Sequence, residues 1–170
     1  SNIVTFGEAD LSTIKTLSAK EAICLQDISA LSTASKLQTL NLDYCVGIQN
    51  FSPLSRCTNL KELHMQSTMV KRFPDISSCT NLETLVVKHS TYLTGFDGLP
   101  ECAVEELNLS WCRCFTETSS LLPLQHLKRL DLAYCRSIED IEPLKTLTNL
   151  HQLVCWQNDV LSLDLTEYNI

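Results

Sequence analysis

A nine-residue pattern recurs at nearly constant intervals along this chain and restricts its fold more than any other feature. The pattern reads Leu37-Gln-Thr-Leu40-Asn-Leu42-Asp-Tyr-Cys45, and equivalent stretches begin at Leu60, Leu82, Val104, Leu127 and Leu150. The starts lie 23, 22, 22, 23 and 23 residues apart. A period of this length predicts a solenoid, in which each repeat forms one coil and buries its apolar face only against its neighbours.

Each coil is predicted to contain one short strand. In the first clear repeat, Leu40 and Leu42 alternate with Thr39 and Asn41, and a period of two is typical of a strand with one buried face. The equivalent inward pairs are Leu63 and Met65, Leu85 and Val87, Leu107 and Leu109, Leu130 and Leu132, and Leu153 and Cys155. Successive strands lie side by side, so the coils together build one parallel sheet.

The ninth position of the coils holds a short polar or thiol side chain: Asp27, Cys45, Thr68, Ser90, Cys112, Cys135 and Asn158. The chain turns away from the sheet at this point, and its inner backbone groups lose contact with water. A side chain that hydrogen-bonds those groups avoids the cost of leaving them unpaired. Cys45, Cys112 and Cys135 are therefore predicted to be structural.

After the ninth position, apolar residues follow at intervals of three, as in the series Cys45, Ile48, Phe51, Leu54 and Cys57. This spacing fits 3₁₀ or extended segments better than an α-helix. The prolines also fall on this return side, where a missing N–H does little harm. Four thiols are expected to act as small apolar residues: Cys57 and Cys79 on the return side, and Cys24 and Cys155 on strands.

The repeat weakens towards the N-terminus. Ala22 and Cys24 are assigned to a strand that ends at Asp27, and an earlier strand is assigned to residues 4–6, so that the first two coils have 18 residues each. The chain is thus expected to form a single domain over residues 1–170, with clear coils at 19–158 and a degenerate partial coil at 1–18. Since no polar capping helix is evident at either end, we expect this domain to be part of a longer protein.

Composition narrows the possible functions and locations. The formal net charge of −7 disfavours nucleic-acid binding, which needs a clustered basic face, and the apolar runs are too short for membrane insertion. The nine cysteines are an odd number, whereas a secreted disulfide framework normally uses an even count in a shorter chain. Free thiols in a reducing compartment are the better interpretation, which predicts an intracellular, cytoplasmic protein.

The repeats resemble those of a known family. The run from Leu127 to Asn149, which begins Leu-Lys-Arg-Leu-Asp-Leu-Ala-Tyr-Cys135, resembles the leucine-rich repeats of the internalin and phosphatase-1-regulator type. Its ninth-position Cys is similar to that of leucine-rich-repeat proteins from kinetoplastid parasites, some of them described as adenylate cyclase regulators. The resemblance implies an α/β fold, namely a right-handed solenoid with a parallel sheet on the concave face and 3₁₀ or extended segments on the convex side.

The predicted binding surface is the concave face of the sheet. The eighth position of successive coils reads Gln26, Tyr44, Ser67, His89, Trp111, Tyr134 and Gln157, and Trp156 precedes the last of these. We call Tyr44, His89, Trp111, Tyr134 and Trp156 the aromatic ridge. Exposed Trp and Tyr are enriched at interface hot spots. The alternative is that neighbouring side chains partly shield this position, which then merely tolerates aromatic residues.

Polar residues flank the ridge on the same face: Asn41, Asp43, His64, Lys88, Asn108, Arg129 and Asp131. A mixture of polar and apolar groups is common at interfaces, so these residues are candidates for setting the register of a bound partner. The alternative is that they are ordinary solvated side chains of the strands.

Other kinds of site are set aside. No nucleophile motif, phosphate-binding loop or dinucleotide fingerprint is present, so no catalytic residue is assigned. His89, Cys112 and Cys114 lack the paired spacing of zinc ligands, so no metal site is assigned. Cys112 and Cys135 are close enough for a disulfide by repeat spacing alone, although inward thiols of this kind more often stay reduced.

The sequence therefore predicts a non-enzymatic module that binds a protein or peptide on its concave sheet, without a cofactor. The main alternative is a structural role, in which the domain packs end to end with other copies or within its parent protein. A regulatory subunit of a signalling enzyme and an extracellular adhesion module are less favoured.

Overall fold

The computed structural model describes residues 4–158, and its main element is a sheet of seven parallel strands that follow one another in chain order. The strands are β1 (Thr16–Ser18), β2 (Thr39–Asn41), β3 (Glu62–His64), β4 (Thr84–Val86), β5 (Glu106–Asn108), β6 (Arg129–Asp131) and β7 (Gln152–Val154). The predicted parallel-sheet solenoid is confirmed. Leu161, Leu163 and Leu165, which continue the apolar pattern after the last strand, lie outside the described residues.

The core is built from two files of apolar residues that run across the sheet. The strand register aligns the fourth-position residues Leu17, Leu40, Leu63, Leu85, Leu107, Leu130 and Leu153. The sixth-position residues Leu42, Met65, Val87, Leu109 and Leu132 form the second file and are fully buried. The burial of each of these side chains stabilises the folded state by about 1.5–3 kcal/mol. The predicted inward pairs are confirmed except at the last coil, where Cys155 is only half-buried.

The prediction of a strand at Ala22 and Cys24 is wrong. Strand β1 precedes those residues, and its Leu17 pairs with Leu40 of β2. Counted from this pairing, the first coil begins at Ile14, which is 23 residues before the next start. The first coil therefore has the same length as most of the others, and the 18-residue coils do not occur.

Neighbouring residues change roles with this shift. Asp27 is not a ninth-position residue, because it lies on the return side and forms an isolated bridge with Thr5. This bridge is all that is found of the strand predicted at residues 4–6. Cys24 is exposed rather than inward. Ala22 takes the ninth position and is buried. No described strand precedes β1 in the sheet, so this position has no earlier strand to bind and an alanine suffices.

Four ninth-position side chains point into the core and hydrogen-bond the coil before them, as predicted: Cys45, Ser90, Cys112 and Cys135. Thr68 Oγ1 instead donates to the carbonyl oxygen of Met65 in its own coil, and Asn158 Oδ1 has no partner among the described residues. Cys135 Sγ donates to the carbonyl oxygen of Leu109 at 3.0 Å. Equivalent bonds run from Cys45 to Ala19, from Ser90 to Met65 and from Cys112 to Val87. Burial raises the pKa of Cys112 to about 12 and also raises the pKa of Cys135. Both thiols therefore stay protonated at neutral pH and remain hydrogen-bond donors.

A second file of thiols lies on the return side. Cys57 Sγ donates to the carbonyl oxygen of Leu31 at 3.5 Å, and Cys79 Sγ donates to that of Cys57 at 3.4 Å. Both residues are fully buried, as their predicted role as small apolar residues requires. Burial raises the pKa of Cys57 to about 12 and that of Cys79 to about 11.

The return side consists of short 3₁₀ helices and extended segments, as predicted. The helices are Ser29–Thr33, Ser52–Arg56, Thr118–Leu121 and Glu142–Thr146. Three of them begin two residues after an Asp or Asn, whose side-chain oxygen accepts the N–H of the first helical residue. These Asp and Asn residues are Asp27, Asn50 and Asp140. Such local bonds are the reason that Asp and Asn favour the starts of turns and helices.

The two coils that begin at Leu60 and Leu82 are one residue shorter than the others, and no 3₁₀ helix is described in them. Their return segments instead meet in an isolated parallel bridge between Phe73 and Phe96. The two rings lie 5.0 Å apart between centroids. Aromatic packing thus replaces helix packing where the shorter chain leaves no room for a helical turn.

Arg72 joins three successive coils at the surface of this helix-free region. Its guanidinium group donates to the carboxylates of Asp97 and Glu117, the latter at 2.6 Å from Nη1. The hydrogen bond from Arg72 lowers the pKa of Glu117, and the two carboxylates raise the pKa of Arg72. A bridging arginine therefore links coils that lack the contacts between 3₁₀ helices.

We expect the Cys135→Ala variant to lower the free energy of unfolding by about 1–3 kcal/mol, because the buried carbonyl of Leu109 loses its donor. The Cys135→Ser variant should recover part of this loss, since a hydroxyl also donates. Urea denaturation followed by circular dichroism measures both. Cys114→Ala, at a half-buried thiol in no repeat position, is the control and should stay within about 0.5 kcal/mol of wild type. Equal losses in the Ala and Ser variants would contradict the assigned hydrogen bond.

Candidate functional site

The eighth residue of each described coil has a left-handed backbone. These residues are Glu21, Tyr44, Ser67, His89, Trp111, Tyr134 and Gln157, and their φ angles lie between 55° and 66°. Glu21 replaces the predicted Gln26, in line with the corrected first coil. A left-handed conformation costs an L-residue about 1–2 kcal/mol, yet glycine, which would relieve that cost, occupies none of the seven positions. The left-handed residue turns the chain at the end of each strand.

Four residues of the aromatic ridge are in contact with one another. Trp111 and Tyr134 are stacked, with centroids 3.9 Å apart and planes at 19°. His89 stacks on the other side of Trp111 at 5.9 Å and 12°, and Trp156 meets Tyr134 edge-on at 4.8 Å and 68°. The ridge therefore has a continuous four-ring part that crosses four coils.

Tyr44 stands apart from this four-ring part. Its hydroxyl accepts a hydrogen bond from Nε2 of Gln66 at 2.7 Å, and Ser67 occupies the eighth position between it and His89. Among the described residues, no aromatic ring contacts Tyr44. The structure thus places Tyr44 on the same edge of the sheet but outside the stack.

The structure adds a residue that the sequence analysis missed. The guanidinium carbon of Arg113 lies 5.2 Å from the centroid of the Trp111 ring, which is within the range of a cation–π interaction. Arg113 follows Trp111 by two residues in the sequence, and Arg136 follows Tyr134 in the same way. This repeated spacing was the signal available in the sequence.

Several of the flanking polar residues bind the backbone. Asn41, Asn108 and Asp131 occupy the fifth position, and each side-chain oxygen accepts the N–H of the residue two positions later at 2.9 Å. In these three coils the seventh-position residue is buried: Asp43, Ser110 and Ala133. Asp43 in turn accepts the N–H of Gln66 at 2.8 Å. Local side-chain bonds of this type stabilise turns, so these oxygens serve the end of the strand.

A shallow depression of about 740 Å³ lies on the sheet beside the ridge. Six of its lining residues are Thr84, Val86, Glu106, Asn108, Arg129 and Asp131. Two carboxylates at its border are matched by lysines, since Lys61 pairs with Glu83 at 3.6 Å and Lys128 with Glu105 at 2.7 Å. The acidic character of this part of the sheet is therefore partly neutralised within the protein.

Three further candidate residues of the concave face differ in exposure: His64 and Lys88 are half-buried, and Arg129 is exposed.

Among residues 4–158, no group of three or more His, Cys, Asp or Glu side chains is arranged to hold a metal ion. The described residues include no helix that is long and apolar enough to cross a membrane.

The backbone does not explain why aromatic residues occupy the eighth position. The same conformation is adopted by Ser67 and Gln157 as well as by Trp111 and Tyr134, so the turn itself is compatible with small and polar side chains. Strained conformations of non-glycine residues persist where the surrounding structure holds them and cluster at functional sites. The run of aromatic rings in adjacent coils is thus a property of the surface rather than a requirement of the fold.

His89 differs from an ordinary solvated histidine. Loss of hydration lowers its pKa below the ordinary value of 6.5, and the positive charge of Lys88 lowers it further. The lowered pKa favours the neutral form of this exposed imidazole at pH 7.

Several solved structures share this fold. A leucine-rich-repeat protein of Leptospira interrogans is 22% identical, with a TM-score of 0.64 over 86% of this chain and 38% of that one. Internalin C2 of Listeria monocytogenes is 26% identical, with a TM-score of 0.54 over 94% of this chain and 58% of that one. The functional domain of InlJ from Listeria monocytogenes, which includes a cysteine ladder, is 20% identical, with a TM-score of 0.56 over 94% of this chain and 38% of that one.

The chain has the leucine-rich-repeat fold. Its repeats are similar to those of the internalin type. It spans between 38% and 58% of the length of these three proteins. The chain matches no protein-family model, and no curated protein matches it. The predicted resemblance to internalin-type repeats is confirmed.

Two glycine substitutions separate backbone strain from ring stacking. Ser67→Gly should leave the free energy of unfolding unchanged or raise it by up to about 1 kcal/mol, because relief of the left-handed strain offsets the entropy cost of glycine. Trp111→Gly has the same backbone benefit but loses two ring contacts worth about 0.5–1.5 kcal/mol each, so it should be destabilising. Thermal and urea unfolding measure both, and a Trp111→Gly variant as stable as Ser67→Gly would show that the stack contributes nothing.

The pKa of His89 offers an independent test of the stack in solution. We expect the imidazole to titrate below 6.5 in an NMR pH titration of its ring signals. Trp111→Ala removes the ring that excludes water from one face of His89 and should raise the pKa towards 6.5. His151, an exposed histidine at the start of the last coil, is the control in the same spectra. An unchanged His89 titration in Trp111→Ala would contradict the stacked arrangement.

Proposed function

We propose that this domain is a non-enzymatic recognition module that binds a protein or peptide partner along the aromatic ridge and the adjoining concave face. The observation that carries the proposal is the continuous contact of His89, Trp111, Tyr134 and Trp156 across four coils. Trp and Tyr are the residues most enriched at binding hot spots. Trp156, at the end of the run, is 57% exposed.

The mechanism depends on a surface that is ordered before the partner arrives. His89, Trp111 and Tyr134 are each held by the left-handed turn of their own coil and by the ring of the next coil, so little side-chain freedom remains to be lost on binding. The polar residues Asn41, Asn108 and Asp131 already hold the strand ends. We therefore expect the rings to supply affinity, and His64, Lys88 and Arg129 to set the register of the partner.

The site of action is also a proposal. The buried thiols donate hydrogen bonds within the scaffold, and a reducing compartment keeps them in that state. An intracellular, cytoplasmic location fits this chemistry. Mass measurement of the native protein with and without reductant tests it, and an oxidised Cys112–Cys135 pair would count against it.

A structural role in assembly is the alternative. The side chains of Val4 and Ile23 lie near the N-terminal end of the solenoid and are 51% and 57% exposed, and an end-to-end contact would cover such residues. Light scattering over a range of concentrations discriminates between the two roles. Oligomers that dissociate when Ile23 is changed to Asp favour assembly, whereas a monomer at all concentrations favours recognition.

Trp111→Ala and Tyr134→Ala should each weaken partner binding by at least about tenfold without unfolding the domain, since hot-spot truncations typically cost about 2 kcal/mol or more. Affinity capture from the native source identifies the partner, and titration of the purified partner gives the affinities. Arg56→Ala, at an exposed residue of the 3₁₀ helix Ser52–Arg56 on the return side, is the control and should bind as wild type does. Normal binding by both ridge variants would overturn the proposed function.

A further inference from the structure

Two arginines border the ridge in adjacent coils. Arg113 and Arg136 both occupy the tenth position, two residues after Trp111 and Tyr134 respectively. Both side chains are exposed. Because the coils are stacked in register, the two tenth positions lie side by side, on the edge of the sheet where the strands end.

The charges of these arginines are unmatched within the described part of the chain. Neither Arg113 nor Arg136 forms an ion pair with a described residue, whereas Lys61, Arg72, Lys128 and Lys145 each pair with a carboxylate. Arg113 lies over the Trp111 ring instead. The chain has a net charge of −7, but these two arginines make the surface beside the ridge locally positive.

Like charges in adjacent coils repel each other weakly when both are exposed to solvent, and a bound anionic group would relieve that repulsion. The lysines at the border of the depression show that this fold can match charges between neighbouring coils, because Lys61 faces Glu83 and Lys128 faces Glu105. At the tenth position the sequence places two cations together instead. Among residues 4–158 no carboxylate pairs with either arginine, so within this part of the chain both can contact an external anionic group.

We propose that the partner contacts this domain through an acidic polypeptide segment, whose Asp or Glu side chains bind Arg113 and Arg136 while neighbouring apolar side chains pack on Trp111, Tyr134 and Trp156. This inference rests on the proposed function and names the chemistry of its partner. The segment runs along the ridge, across the direction of the strands, so that both arginines are engaged at once.

The geometry suits carboxylates in particular. A guanidinium group that stacks on an indole still presents its N–H donors at its edge, and it binds a carboxylate through two parallel hydrogen bonds. Neighbouring strands are about 4.8 Å apart and an extended chain rises about 3.3 Å per residue. Two acidic residues one or two positions apart in the partner therefore match the spacing of the arginine pair.

The test is selection from a phage-displayed library of random 12-residue peptides on the immobilised 170-residue chain, with parallel selections on Trp111→Ala and on the double variant Arg113→Gln/Arg136→Gln. We expect wild type to enrich peptides that combine Asp or Glu with aromatic or aliphatic residues. Peptides selected on the double arginine variant should no longer be enriched in Asp and Glu but should still be enriched in aromatic and aliphatic residues. Arg56→Gln, at an exposed arginine of the 3₁₀ helix Ser52–Arg56 on the return side, is the control and should select the same peptides as wild type.

The best acidic peptide is then titrated by fluorescence anisotropy. We expect its affinity to fall at least tenfold in the double arginine variant and at least tenfold when its Asp and Glu residues are changed to Asn and Gln, and to weaken with added salt. Enrichment of neutral or basic peptides that depends on Trp111 would overturn this inference and leave the proposed function intact. A failure of wild type to enrich any peptide beyond Trp111→Ala would overturn both.

Discussion

The left-handed residue at the eighth position of each coil is the constraint on which the rest of the structure depends. It turns the chain at the end of the strand, so that the eighth side chain points outward and the ninth points inward. The inward residue, such as Cys135, then hydrogen-bonds the carbonyl of Leu109 in the preceding coil. The outward residue, such as Tyr134, stacks on Trp111, which also belongs to the preceding coil. One turn therefore generates both the internal bonds of the solenoid and its aromatic surface.

The sequence predicts the regular part of this fold because the side-chain requirements repeat visibly. Leucines at the fourth and sixth positions mark each strand, and short polar or thiol residues mark each inward turn. The sequence pattern fails for the first coil. Its ninth residue, Ala22, has no earlier strand to bind and is not polar, whereas Asp27 on the return side resembles a ninth-position residue in the sequence. The left-handed turns were equally hidden, since glycine, their usual marker, occupies none of them.

For the candidate site, the sequence places the rings on one edge but does not predict which of them touch. Tyr44 is separated from the stack by Ser67, whereas His89 joins it. The polar residues Asn108 and Asp131 look like ligand-binding groups in the sequence, but their oxygens accept backbone N–H groups at the strand ends. Such assignments depend on local turn geometry, which a strand pattern alone does not specify.

The stacked arrangement also determines which parts of the ridge are open to the proposed partner. The close stack of Trp111 on Tyr134, at 3.9 Å, covers the facing surfaces of both rings and leaves their edges to solvent. Trp156 meets Tyr134 edge-on and is 57% exposed, so it offers the largest open aromatic surface. Arg113 covers part of Trp111 and adds charge beside it. An apolar anchor is therefore best accommodated at Trp156, and a carboxylate towards Trp111, which gives the ridge a direction along the solenoid.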